Sequence, residues 1–229
     1  MFNSMKRGSY MIWNIRNLVV FIFVIVMWMI VDHLHINNVL AFIIIFILMF
    51  LVLYMPILFT VIWDSNLKRI EKFLMSRKNK PEYHLFYALA HEIDEEVEDS
   101  IRLLLQKYKG IHKQALHKTV LAFYKKEILT VKEEIELIKP LAYKNYYRAI
   151  VCMEEGNNAE THKIIHDIPT PWMRNAILSE LELKSNHYAA ALKLAQQALH
   201  QSKGLQKYVL FKTYQRKFPE MQSVNGTQL

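Results

Sequence analysis

An all-α chain, with a membrane helical hairpin followed by a cytoplasmic stack of helices, is the fold this sequence predicts. Three observations predict it. Two apolar runs, Leu18 to Val31 and Val39 to Trp63, flank a short polar knot. Helix start and stop signals then recur from residue 64 to the end. No segment shows sustained strand alternation with hairpin turns.

The second run is 25 residues without a charge, long enough at about 1.5 Å per residue to cross a ~30 Å hydrocarbon core with tilt. Pro56 lies inside it and should free the Val52 carbonyl, a kink that a neighbouring helix tolerates. The first run has 14 uninterrupted residues and must recruit Met11 to Ile15 or Leu34 to Ile36, giving a span over about 11–31, with Arg16 snorkelling. A cleaved signal peptide is the competing reading of the basic leader and apolar core. The residues after the first run, Asp-His-Leu-His-Ile, offer no pair of small side chains for a peptidase, which favours an anchor.

Basic residues set the orientation. Lys6, Arg7 and Arg16 precede the hairpin and Lys68, Arg69, Lys72, Arg77, Lys78 and Lys80 follow it, whereas the loop 32–38 has neither Lys nor Arg. The positive-inside rule puts both termini in the cytoplasm of a bacterial inner membrane. The net charge of +8 divides into +6 over residues 1–80 and +2 over 81–229. The surplus flanks the membrane runs and the rest is nearly balanced, so no nucleic-acid footprint is present and the bilayer is the expected electrostatic partner. One cysteine excludes an internal disulfide. Five glycines, none in a phosphate-binding loop, argue against P-loop and dinucleotide chemistry. Richness in Ile, Lys, Asn and Tyr has the flavour of a low-GC bacterium.

The predicted parts are a basic N-terminus (1–17), the hairpin (18–63), a juxtamembrane stretch (64–80), a helical domain (81–218) and a flexible tail (219–229). Asn66 to Arg77 is amphipathic, with Leu67, Ile70, Phe73 and Leu74 on one face. It should lie on the membrane or extend the second span. Pro81 opens a helical stretch reaching Lys109, broken around His91 to Asp94 and stopped by Gly110. Ile111 to Ile128 is the next helix, and Thr130-Val-Lys-Glu133 forms a capping box for a short one. Pro140 starts a helix ending at Gly156, and Asn157 or Asn158 caps another reaching Ile168. Thr170-Pro171 opens one ending near Lys184, His187 to Ser202 is closed by Gly204, and Leu205 to Phe218 completes the set.

Short turns between such helices make consecutive antiparallel pairs, the unit of an α-solenoid. Within the last pairs, Ala191 and Ala198 recur seven apart, Asn186 sits at the turn and Tyr188 two residues beyond it. Over about residues 171–204 this resembles a tetratricopeptide repeat, in which small residues let paired helices approach closely. The preceding pair has Gly156 at the equivalent turn and Thr161 where Ala191 stands, 30 residues back rather than the family's 34. The resemblance implies a tetratricopeptide-like solenoid with a protein or peptide partner at the cytoplasmic face. It points to the first helix of each pair, Tyr143, Tyr147, Arg148, Asn175 and Glu182, as partner contacts.

Catalytic, cofactor and metal chemistry is weaker. His91-Glu-Ile-Asp-Glu-Glu-Val-Glu-Asp99 lacks the second His of a zinc-binding HExxH helix and reads as the acidic start of a helix. His162 and His166 share a helix face without an evident third ligand. Asp32, His33 and His35 keep the loop polar, and Cys152, among Ile150, Val151 and Met153, reads as a buried small residue. No catalytic, cofactor or metal residue is assigned, and a non-enzyme is expected. The leading function is a membrane-anchored interaction scaffold. The alternatives are a small toxin-like or permeabilising membrane effector and, behind it, an enzyme with a His/carboxylate site.

Overall fold

The computed structural model describes residues 37–222 and, before them, Ile22, Ile25, Val26, Trp28 and Met29, all helical. The first apolar run as a span, Lys6, Arg7 and Arg16, the loop residues Asp32, His33 and His35, and the end of the tail lie outside the described residues. The described residues are all-α, with no strand. The chain divides into two units, Met1–Phe59 and Thr60–Leu229.

Helix α1 (Asn38–Ile62) runs through Pro56 without interruption. Its N-terminus is capped by Asn37, whose side chain accepts the Val39 amide at 2.9 Å. Residues Phe42–Ile62 have mean hydropathy 3.0 and their apolar window is not buried, and this is the one helix among the described residues long and apolar enough to cross a membrane.

Among its described residues the second unit contains ten further α-helices: α2 (Leu67–Ser76), α3 (Pro81–His91), α4 (Asp94–Lys107), α5 (Ile111–Tyr124), α6 (Lys132–Glu136), α7 (Leu141–Glu154), α8 (Asn158–His166), α9 (Pro171–Lys184), α10 (Tyr188–Gln201) and α11 (Gly204–Lys217). Short 3-10 turns cover Ile128–Val131 and Pro219–Gln222. The starts of α3, α5, α7 and α9 are Pro81, Ile111, Leu141 and Pro171, each 30 residues after the last. Each of these helices is followed by the same stop. At Glu92, Lys126, Gly156 and Asn186 the backbone turns left-handed, with φ of 52°, 61°, 77° and 62°. The next amide reaches back five residues, from Ile93 to Ala88 (3.1 Å), Glu127 to Ala122 (2.8 Å), Asn157 to Cys152 (2.9 Å) and His187 to Glu182 (2.8 Å). These are Schellman ends, which satisfy carbonyls the helix leaves open.

The repeat extends to the core. Thr119, Ala149 and Ser179 stand 30 apart, and each is fully buried. The Ser179 hydroxyl donates to the Ala191 carbonyl at 2.8 Å, so at that position the column faces the second helix of its pair. On the second helices, Val97, Thr161 and Ala191 are buried at one register, as are Ile101, Ile135, Ile165 and Ala195 at the next, and Leu104, Ile138, Ile168 and Ala198 beyond. In the first pair the turn comes about one helical turn early and the second helix is correspondingly longer, 14 residues in α4 against 9 in α8, so the 30-residue spacing survives. The pairs α3–α4, α7–α8 and α9–α10 pack internally, and α7 also packs on α9.

Several expectations are corrected. Helix α2 neither extends α1 nor offers its apolar face to a membrane. The chain breaks between Trp63 and Asn66, where the Asn66 side chain accepts the Arg69 amide at 3.0 Å. Leu67, Ile70 and Leu74 are buried in a cluster with α10 and α11. An amphipathic pattern states only that one face leaves water, not what covers it. Gly110 is not a stop: Tyr108 ends α4, and Gly110 in extended conformation opens α5. Helix α5 ends at Tyr124, because Lys126 turns left-handed before Ile128. The capping box at Thr130 does not form. That hydroxyl donates to the Glu127 carbonyl at 2.8 Å within the 3-10 turn, and Val131 caps α6 without a side-chain bond. Gly204 does not close α10 but begins α11. Pro219–Gln222 is no frayed end: Met221 is buried and Glu220 accepts a 2.6 Å bond from Tyr188.

The largest departure is non-local. Helix α11 packs against α2 and α3, about 130 residues earlier in the chain. A solenoid whose repeats touch only their neighbours lacks this contact. Here the end of the stack returns to its beginning, and Leu205, Tyr208, Phe211, Tyr214 and Phe218 are buried with Leu67, Ile70, Leu74 and Ala90.

Candidate interaction surface

The partner contacts singled out in the sequence lie on the first helices of the pairs, α7 and α9. Helix α11 covers part of both. Its apolar residues recur at three- and four-residue spacing and face inward. Its polar residues bond to four other helices. Gln206 donates from Nε2 to the Tyr143 hydroxyl on α7 at 3.4 Å. Arg216 donates to the Ala90 carbonyl at the end of α3 (2.7 Å) and pairs with Glu92 (2.9 Å). Lys217 bonds Glu180 on α9. Tyr208 donates its hydroxyl proton to Glu71 on α2 at 2.8 Å, and the same oxygen lies 2.8 Å from His91 Nε2. A phenol has one proton, so with it directed at Glu71 the imidazole Nε2–H is the donor to Tyr208.

The electrostatics of this cluster follow from its burial. Tyr208 is 1% exposed, and burial with the bond to Glu71 pushes its pKa far above the ordinary tyrosine value. Burial also lowers the His91 pKa, reinforced by the Lys212 and Arg216 charges and partly opposed by Glu71. Tyr87 packs on the His91 ring at 4.4 Å. The imidazole is therefore held neutral at pH 7.

The five sequence-predicted contacts are distributed, not gathered. Tyr143 is half-buried and bonded to Gln206. Tyr147 is buried in the core, edge-on to Phe123 and Tyr146 at 6.0 and 5.4 Å, so it wedges helices together. Arg148 is exposed and pairs with Glu136 on α6 at 3.3 Å. Asn175 donates to Gln201 at 2.9 Å, and the Glu182 carboxylate lies 2.8 Å from His187 Nδ1. None of the five bonds to another among the described residues. Trp172 is half-buried beside Tyr146, with rings 6.2 Å apart.

Reactive chemistry is not assembled among the other residues singled out. Burial raises the Cys152 pKa, and Glu155 and Glu160 add to it, which keeps the sulfur a thiol. Asp94, Glu95 and Glu96 fill the first turn of α4, where the helix dipole favours them. Asp94 accepts from Tyr124, Glu98 pairs with Lys125 (2.7 Å) and Asp99 with Arg102 (2.8 Å). His162 and His166 are solvated, and among the described residues no three His, Cys, Asp or Glu side chains converge as a metal site needs. An open groove of about 510 Å³ lies between α4 and α5, lined by Glu98, Arg102, Leu105, Gln114 and Leu121.

The pattern reading missed Glu71, His91, Tyr208 and Arg216 as a unit, since no local spacing joins residues more than 100 apart. The chain matches no family model, no curated protein and no solved structure.

Proposed function

We propose that this protein is a membrane-anchored interaction module, with a tetratricopeptide-like helical domain held at the cytoplasmic face of a bacterial inner membrane. The observation that carries the reading is the pairing of an exposed apolar helix, Phe42–Ile62, with a 30-residue helical repeat in one chain. The anchor is a two-helix hairpin whose first span covers about 11–31, with both termini in the cytoplasm, as the basic flanks and charge-poor loop support. Tethering raises the effective concentration of the module near membrane complexes.

Helix α11 already covers Tyr143 and Tyr147 is interior, so the partner surface narrows to what remains on the first helices and their turns: Arg148, Asn175 and Glu182. The partner is a protein or peptide that bonds to polar side chains. Proximity labelling from the C-terminus in native membranes tests this. One reproducible complex, lost on combined alanine substitution of Arg148, Asn175 and Glu182, supports the module. No enrichment over an unrelated hairpin-anchored control removes it.

A further inference from the structure

The helical repeat has two ends of opposite charge. Its paired helices run antiparallel across short turns, so the turns between pairs gather at one end and the turns within pairs at the other. Residues 77–84, 107–114, 137–144 and 167–174, where first helices begin, hold nine Lys/Arg and two Asp/Glu, a net +7. Residues 92–99, 122–129, 152–159 and 182–189, at the turns within pairs, hold three Lys and ten Asp/Glu, a net −7. Contacts between neighbouring helices keep the two ends apart. At the acidic end Tyr124 bonds Asp94, and Lys184 meets Glu154 at 2.8 Å. At the basic end His112 Nδ1 lies 2.7 Å from the Leu137 carbonyl oxygen, and Asn175 donates to Gln201 at 2.9 Å.

The chain enters the helical domain at the basic end. Thr60 to Ile62, the last turn of α1, belongs to the second unit. A Cβ at Gly204 would stand 2.0 Å from the Val61 carbonyl oxygen, and the Gly204 amide donates to the Asp64 carbonyl at 2.7 Å. Gly204 follows directly on the end of α10, and Gln206 beyond it bonds Tyr143 in the first turn of α7. The same end exposes Ile111, Leu137 and Leu141, at 58%, 40% and 62%. Lys109, Lys139 and Lys203 are exposed there and pair with no carboxylate among the described residues. Phe123 and Leu129 are exposed toward the acidic end, so apolar side chains alone do not distinguish the two ends. Charge does.

We infer that the basic end of the helical domain rests on the anionic lipid surface, with Ile111, Leu137 and Leu141 at the headgroup boundary and Lys109, Lys139 and Lys203 against the lipid charge. An anionic surface attracts lysines only within a Debye length, ~8 Å at physiological salt, so such charges act only where the span leaves the bilayer. Lysine stems reach past apolar neighbours while the ammonium stays in water. Apolar side chains beside basic ones are what holds a non-spanning surface at a bilayer. The acidic end is repelled by the same lipids, which favours the same orientation. This inference rests on α1 being a span.

The full chain in nanodiscs tests it, with Cys152→Ser as background and a fluorophore on single introduced cysteines. In phosphatidylglycerol discs carrying a headgroup nitroxide, a label at Leu141→Cys should be quenched several-fold more than one at Leu129→Cys. Combining Lys109→Glu with Lys139→Glu should remove most of that difference, as should about 0.5 M NaCl, which screens the attraction. Equal quenching of the two labels overturns the docking. A difference unchanged by both the charge reversal and the salt overturns the role of the lysines. Failure of the anchor reads out separately: a Phe46→Cys label that escapes an acyl-chain nitroxide removes the span, and the docking with it.

Discussion

Four left-handed residues carry the turns of the helical repeat, and only one of them is glycine. Gly156 has open space around its missing Cβ, so Gly156→Ala meets only the φ penalty and should cost about 1 kcal/mol in urea unfolding of the detergent-solubilised protein. Lys126→Gly should gain a few tenths to about 1 kcal/mol by relieving the same penalty in reverse. At Gly204 the penalty combines with a collision against the Val61 backbone, and Gly204→Ala should cost about 3 kcal/mol or more. Equal costs at Gly156 and Gly204 would show that the close approach to Val61 is absent. At this scale local chemistry in the sequence was informative. Pro81, Pro171 and Asn157 begin helices as their types demand, and Gly156 ends one. Gly110 and Gly204 misled, because a glycine signals freedom of φ and not which neighbouring helix uses it.

Between elements, Thr119, Ala149 and Ser179 are small and fully buried, and the Ser179 hydroxyl donates to the Ala191 carbonyl of α10 at 2.8 Å. Ala149→Leu should therefore cost about 1–3 kcal/mol by overpacking, a larger effect than the same change at exposed Ala190, compared by urea midpoints. The contact of α11 with α2 and α3 introduces a pH dependence. His91 has a folded pKa below its unfolded value, so the unfolded chain binds the proton more readily. Its contribution to stability is whole above about pH 6.5 and declines as pH falls below that. His117, also lowered by burial and by Lys113, acts in the same direction. Replacing His91 with Gln, which retains a donor toward Tyr208, should flatten the loss of stability between pH 7 and 5; an unchanged slope would assign it to His117 and the carboxylates. Element lengths and turns were largely legible beforehand, since helix caps are written within a few residues. The destination of α2 was not. Its apolar face suits a membrane and the flank of α11 equally, and only the partner 130 residues away decides.

Over the whole molecule, an apolar helix precedes a helical domain whose last helix bonds to α2, α3, α7 and α9. Protease added to intact spheroplasts should leave the region beyond residue 80 uncut, while detergent lysis exposes it; digestion before lysis would reverse the proposed orientation. The 30-residue spacing was visible at one pair of turns, Gly156 and Asn186. The other turns are marked by Glu92 and Lys126, which no turn preference singles out. The return of α11 to the first helices has a consequence for how such a chain can change in size. An open array grows or shrinks by whole copies at little penalty, but here the arithmetic is fixed: splicing in a duplicate of 141–170 would carry Tyr208 and Arg216 past Glu71 and Ala90, leaving both ends bare. The number of copies is thus as much a part of this architecture as their spacing.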